Sequence, residues 1–194
     1  RVISDEIHMD MTWDGHRHIP WCDIAQGPWA LFTSGSKSFN IPAFTGAYGL
    51  IDDEGARNDY LNALKSRDGL SSPSVPALVA HIAAYRHGEP WLDALRDYLQ
   101  GNMRYIQQTL NAAFPALQWQ APQATYLAWI DLRPLNIDDR ALQDVLIKQQ
   151  KVAIMPGYTY GNEGNGFIRL NAGCPRVKLE QGVERLIAAI HTLR

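Results

Sequence analysis

The chain has 194 residues, 46% hydrophobic and 20% charged, with a formal net charge of −2. That is a globular composition with enough apolar mass for a core in one or two domains. The near-neutral charge gives no electrostatic basis for binding nucleic acid or an anionic membrane, and no apolar run approaches the roughly 20 residues of a membrane-spanning helix.

The chain opens on Arg1 with RVIS, which reads as a strand already under way, so a fragment of a longer protein is expected. Val2 to Ser4 forms this first β-type run, ending at Asp5. WALFT (Trp29–Thr33) is a second run and AYGLI (Ala47–Ile51) a third. Their mixed apolar character suits strands buried on both faces, as in a parallel sheet. Residues 56–64 read as helical, with Tyr60, Leu61 and Leu64 on one side. SSPS (Ser71–Ser74) can start the next helix, in which Val75, Leu78, Val79 and Ile82 form a 3-4 stripe. Gly88 stops that helix, and Pro90 suits the first turn of another. Leu92, Leu95, Leu99, Ile106, Leu110 and Ala113 line one face of this long helix, up to Phe114-Pro115. Gly101 interrupts it at a cost of about 1 kcal/mol relative to alanine. Its length suits a link between two domains.

Beyond it the pattern is α+β. YLAWID (Tyr126–Asp131) reads as a strand. Ile137 to Gln150 reads as an amphipathic helix, with Asp138 and Asp139 at the positive end of its dipole. Short strands follow at Val152–Met155 and Phe167–Asn171, and Leu179, Val183, Leu186, Ile187 and Ile190 mark a final helix. Cys22 and Cys174 lie far apart in no metal-type spacing, which reads as two free thiols in a reducing cytoplasm.

Three stretches carry chemistry. In SDEIHMD (Ser4–Asp10), Asp5 sits where a strand ends, the place where open α/β sheets bind ligands. By itself it reads equally as a cap or turn residue, and His8 as a structural histidine. Asp5, Glu6, His8, Asp10, His16 and His18 could together hold a metal, but their spacing matches no metal signature. In LFTSGSKSFN, Lys37 follows WALFT as Asp5 follows RVIS, which puts both on one sheet edge. A pyridoxal phosphate enzyme needs this pair: a lysine for the Schiff base, and an acid that keeps the pyridine nitrogen protonated. The small residues Ser34, Gly35, Ser36 and Ser38 leave room for a ring and offer donors to a phosphate. The third stretch is FIRLNAGCP (Phe167–Pro175), where Arg169 lies in an otherwise apolar strand. A buried guanidinium requires a partner, either a substrate carboxylate or an internal Asp or Glu. PGYTYG and GNEGNGF form a Gly-rich loop before it, with no strand-to-helix crossover to make a nucleotide fingerprint.

SDEIHMD, SGSKSFN, SRDGLSSPSV, PGYTYG and RLNAGCP, in this order, resemble the fold-type I pyridoxal phosphate enzymes, the aminotransferase class I/II superfamily. Within it the chain is similar to the MalY/PatB group of cystathionine β-lyases and looks like the C-terminal half of such an enzyme. The fold so implied is α/β: part of the mainly parallel sheet of the large domain (residues 1–90), then an α+β small domain (91–194) that begins with the long interdomain helix. The resemblance implies a site in which Lys37 holds pyridoxal 5′-phosphate and shuttles the substrate's Cα proton, and Asp5 pairs with the pyridine nitrogen. Ile7 would pack on the ring, His8 would stand near its phenolic oxygen, Ser34 and Ser36 would contact the phosphate, and Arg169 would clamp the substrate carboxylate. No metal is implied. Thr45 stands where many aminotransferases carry a phosphate-binding arginine, a departure that agrees with the carbon–sulfur lyases.

The implied reaction is α,β-elimination on a cystathionine-like thioether, giving a thiol, pyruvate and ammonia, in a cytoplasmic homodimer. The fragment alone is expected to be inactive. An aminotransferase is one alternative. Another is a regulatory module that restrains the transcriptional activator of the maltose genes, as MalY-type proteins do. No nucleic acid or membrane partner is expected.

Overall fold

The computed structural model describes residues 1–194 except Asp14 and Ser71. The chain divides into two units, Arg1–Arg96 and Asp97–Arg194.

In the first unit, β1 (Val2–Asp5), β2 (Trp29–Thr33) and β3 (Tyr48–Ile51) form one sheet in that order. β1 and β2 are parallel, with Asp5 opposite Phe32. β3 runs antiparallel to β2, with Leu31 opposite Leu50, so the third strand departs from the all-parallel pattern its composition suggests. The strands are also not covered on both faces: Ile3 and Leu50 are exposed while Leu31 and Thr33 are buried. Apolar composition reports which faces can be buried, not which ones this chain itself covers.

Short helices α1 (Trp21–Ile24) and α2 (Gly35–Ser38) flank β2. α3 (Glu54–Asn62) is capped by Asp53, whose carboxylate accepts from Ala56 N–H at 2.7 Å, and continues into a wider π-type turn over Ala63–Arg67. α4 (Val75–His87) starts at Ser74, whose hydroxyl oxygen accepts from Ala77 N–H. Ser71 of the expected SSPS start lies outside the described residues. The stripe expected to be the inner face of α4 points outward: Val75 is 72% exposed, and Leu78, Val79 and Ile82 are exposed too. Ala77 (1% exposed) packs inward instead, together with His81 one turn on.

α5 (Glu89–Ala113) is the long helix, and the division between the two units falls within it. Leu99, Met103, Ile106 and Leu110 are buried along one side, the spacing of a core-facing stripe.

In the second unit, β4 (Leu127–Asp131), β5 (Met155–Pro156) and β6 (Phe167–Asn171) form an antiparallel sheet in the order β4-β6-β5. α6 (Asp139–Val145) is capped by Asp138, which accepts from Ala141 N–H at 2.7 Å, and widens into a π-type turn at Leu146–Gln150. The strand expected at Val152–Met155 begins only at Met155. Val152 N–H still bonds Leu146 O, closing the helix end, and Lys151 takes the left-handed conformation at φ 55°. α7 (Arg176–Thr192) buries Leu179, Val183, Leu186, Ala189 and Ile190. Polar side chains of α5 hold the loops of this unit. Asn102 Nδ2 donates to Ala172 O and Cys174 O, and Asn111 brackets Trp119 through both its amide groups. Among the described residues no helix is long and apolar enough to cross a membrane.

Candidate active site

The site begins with the parallel pair. Because β1 and β2 run side by side in the same direction, their C-terminal ends share one edge, and side chains just beyond them converge. The ladder continues past Asp5, with Glu6 N–H donating to Phe32 O at 2.9 Å and Thr33 Oγ1 donating to Glu6 O at 3.1 Å. Asp5 is exposed at this edge, its Oδ1 accepting from Ile7 N–H at 3.2 Å. That turn leaves the second carboxylate oxygen free for another partner. His8 follows on the same excursion.

After β2, Ser34 is extended (φ −158°, ψ 147°) and caps α2 with its hydroxyl oxygen, which accepts from Ser36 N–H at 3.1 Å. The same oxygen donates its proton to Gly46 O at 2.7 Å and lies 3.2 Å from His81 Nε2. Gly35 is closely packed: a Cβ there would sit 3.2 Å from His81 Cδ2 and 3.3 Å from the Phe39 and Tyr85 rings, so those side chains would have to give by a few tenths of an ångström. Downstream, Ser38 is fully buried and donates to Asp10 Oδ2 at 2.6 Å, and Arg96 Nε holds Asp10's backbone carbonyl at 2.6 Å. The backbone of this one-turn helix is thus fastened on both sides of Lys37. The Lys37 side chain is exposed, and among the described residues nothing bonds its ammonium. A fixed backbone with a free amine suits a lysine that must attach to and leave a carbonyl.

Ile7, Ser34 and Ser36 line one cleft of about 650 Å³, with Thr45, Gly46 and Arg57 on its other walls. Arg57 Nη1 also donates to Ile51 O at 2.8 Å. An arginine on an exposed helix is ordinary in a sequence, so nothing there marked Arg57 as a cleft residue. The lining suits a phosphate ester attached to an aromatic ring: it offers serine hydroxyls, a guanidinium and an isoleucine.

Behind this edge lies Glu6, only 5% exposed. Its Oε1 accepts from Ser4 Oγ at 2.9 Å and Trp21 N–H at 2.8 Å, and its Oε2 lies 2.7 Å from His18 Nε2. Burial alone would raise its pKa. The bonds from Trp21, His18 and Ser4 outweigh it and hold the carboxyl below its ordinary value. Glu6 and His18, both members of the sequence's acid–histidine cluster, pair with each other. Among the described residues no group of three or more His, Cys, Asp or Glu side chains converges as a metal site. Tyr85, edge-on to Phe39 at 5.3 Å, has its hydroxyl pushed well above the ordinary range by burial, then by its bond to Tyr48 and the nearby Asp10 charge.

Arg169 belongs to the second unit. It lies on β6 between Trp129 and Met155 of the neighbouring strands, half-buried rather than buried. Its guanidinium lies 4.9 Å from the centre of the Tyr160 ring, and among the described residues no carboxylate pairs with it. Of the two partners read from the sequence, the internal Asp or Glu is therefore absent there. An aromatic face satisfies the cation while leaving its hydrogen-bond donors available. Tyr160 comes from PGYTYG, so the Gly-rich loop supports Arg169 through an aromatic ring.

Lys37 follows β2 and Asp5 ends its parallel neighbour β1, while of the expected site residues Ile7, Ser34 and Ser36, but not Asp5, His8 or Lys37, line the cleft. The architecture is α/β of fold type I, as the solved structure described below bears out. The aminotransferase class I and II model matches residues 1–186, and the chain belongs to that family. The chain is 71% identical to Protein MalY of Escherichia coli (strain K12), over its whole length and 50% of that protein. It is 36% identical to cystathionine beta-lyase PatB of Bacillus subtilis (strain 168), over 97% of the chain and 49% of that enzyme. The crystal structure of the PLP-bound C-S lyase from Staphylococcus hominis superposes with a TM-score of 0.87 at 30% identity, covering 97% of this chain and 48% of that one. The chain thus spans about half the length of the relatives it matches.

Proposed function

We propose that this chain is the C-terminal half of a pyridoxal 5′-phosphate-dependent carbon–sulfur β-lyase of the cystathionine β-lyase type. Residues 1–90 are the second part of the cofactor-binding large domain and 91–194 the small domain. The observation that carries the reading is the shared edge of β1 and β2, where Asp5 and the Lys37 turn flank a cleft lined by Ile7, Ser34 and Ser36. The lyase names among the relatives favour elimination over transamination or a purely regulatory role.

When bound, pyridoxal 5′-phosphate supplies an electron-withdrawing ring that stabilises negative charge at an amino acid's Cα. Lys37 Nζ would hold the cofactor covalently and would take the substrate's Cα proton. Asp5 would keep the pyridine nitrogen protonated, Ile7 would give the ring an apolar contact, His8 would stand near its phenolic oxygen, and Ser34 and Ser36 would hold the phosphate. Arg169 orients the substrate's α-carboxylate, helped by the planar fork of its guanidinium. The net reaction removes the Cα proton, breaks the Cβ–S bond of a cystathionine-like thioether to release a thiol, and consumes one water as the released aminoacrylate hydrolyses to pyruvate and ammonia. The working protein is a cytoplasmic homodimer. The alternative reading, binding of a maltose-gene activator, need not use Lys37, so Lys37→Ala is expected to lose lyase activity while keeping that binding.

The test is borohydride reduction of the full-length protein with pyridoxal 5′-phosphate, followed by peptide mapping by mass spectrometry. A pyridoxyl group on Lys37 is expected, and scattered labelling of surface lysines would sink the assignment. Lys37→Ala should lower thiol release from cystathionine by at least about a hundredfold. Stoichiometric pyridoxamine phosphate formation by the unmodified protein, without thiol, would instead make it an aminotransferase.

A further inference from the structure

α4 brings one titratable side chain to the Lys37 turn. His81 Nδ1 lies 2.8 Å from Ala77 O and Nε2 lies 3.2 Å from Ser34 Oγ. The protons around Ser34 can be counted. A carbonyl only accepts, so Nδ1 carries a proton for Ala77, and the single hydroxyl proton of Ser34 goes to Gly46 O at 2.7 Å. Ser34 Oγ already accepts from Ser36 N–H. With a neutral imidazole, Nε2 is an acceptor, and it competes with Gly46 O for that one proton. With a cationic imidazole, Nε2–H donates into the remaining lone pair of Oγ, and every polar group in the set is satisfied.

Charge gives the second argument. Thr45 and Gly46 line the cleft, and Thr45 brings no charge to it. Around His81 lie the Ala77 carbonyl and Tyr85 from its own helix, Ser34 and Gly35 from α2, and Gly46 from the next loop. Lys37 and Arg57 near the cleft are cations, and Asp10 is engaged by Ser38. Among the described residues no carboxylate pairs with His81. A cationic ring there has no directly paired carboxylate until an anion enters the cleft.

We infer that His81 becomes doubly protonated as the cleft takes up a phosphate ester, and acts through Ser34 as a positioning residue for that phosphate. A neutral ring draws the Ser34 hydroxyl proton toward itself. A cationic ring donates to Oγ and turns the hydroxyl proton outward, toward Gly46 O or a competing phosphate oxygen. Anion binding and proton uptake are then reciprocally linked. The inference rests on the cofactor reading given above.

The experiment uses the full-length protein freed of cofactor. Its probe is pyridoxine 5′-phosphate, which has the ring and phosphate but no aldehyde to react with Lys37. Calorimetry in buffers of different ionisation enthalpy counts protons. The wild type should take up about one proton more than His81→Gln near neutral pH. Its affinity should fall with rising pH by up to about tenfold per unit relative to the variant. Equal proton uptake by both proteins, with the probe bound, overturns the role of His81 and leaves the cofactor reading intact. Failure of the wild type to bind the probe removes both. If His81→Gln does not fold, NMR of the ¹⁵N-histidine wild type with the probe decides: two protonated ring nitrogens on His81 support the inference, and a bare Nε2 refutes it.

Discussion

Glu6 is a buried acid whose worth depends on its partners. It ties the end of β1 to the loop carrying His18 and to the start of α1 at Trp21. Its carboxyl titrates below the ordinary 4.5, so its stabilising effect is complete above pH 4.5 and is lost as pH falls through the lowered value. Glu6→Gln should therefore destabilise the protein at pH 7 by about 2 kcal/mol, since bonds to a charged acceptor are replaced by weaker or unsatisfied ones. The gap between variant and wild type should narrow on acidification. Urea midpoints at pH 7 and pH 4 check this, and a gap that widens at pH 4 would contradict it. At this scale the sequence was informative where one residue type has one chemical use. Lys37 among small residues and Asp5 after a strand were legible as a pair. Glu6, Arg57 and His81 were not, because an acid, an arginine or a histidine is ordinary until its neighbours are known. Arg169 was legible as a cation needing a partner, but the partner is the Tyr160 ring rather than a carboxylate.

Among the elements, strands WALFT and FIRLN were readable to the residue, because their apolar runs are bounded by turn-forming residues. Helix starts were readable only to within a few residues: SSPS was read as a start and its last serine, Ser74, is the cap, while the helix read from Ile137 begins after its cap, Asp138. Helix ends were less so: α3 and α6 both pass into π-type turns, a choice made by packing. The Gly-rich segments of the second unit are explained by close approach. A Cβ on Gly157 would collide with the backbone of Gly164, and one on Gly164 with that of Gly157. Since neither obstacle is a flexible side chain, Gly164→Ala should cost about 1–3 kcal/mol. The urea midpoint measures it, and an unchanged value would show that the two turns separate freely. Ile106→Ala, which empties a fully buried position on α5, should cost about 2–5 kcal/mol by the same measurement.

For the molecule as a whole, exposed apolar surface is concentrated in the first unit. Ile3, Leu50, Val75, Val79 and Ile82 are all exposed, and β1 and β3 are open sheet edges. Such surface favours association. The 194-residue chain produced by itself should self-associate in light scattering and show lyase turnover at background, with intact mass excluding longer species. A monodisperse monomer with efficient turnover would overturn this.

By itself the sequence determined the local states: which segments are strands or helices, and that a lysine and an aspartate each follow a strand. These rest on interactions between residues a few positions apart, which composition and spacing record. Tertiary structure decided which groups meet. His81 reaches Ser34 across 47 positions, and Ser38 reaches Asp10 across 28. It also decided that β3 turns antiparallel and that the apolar stripe of α4 faces outward. Such pairings depend on how whole elements pack, and packing is a property of the folded chain that no local pattern contains.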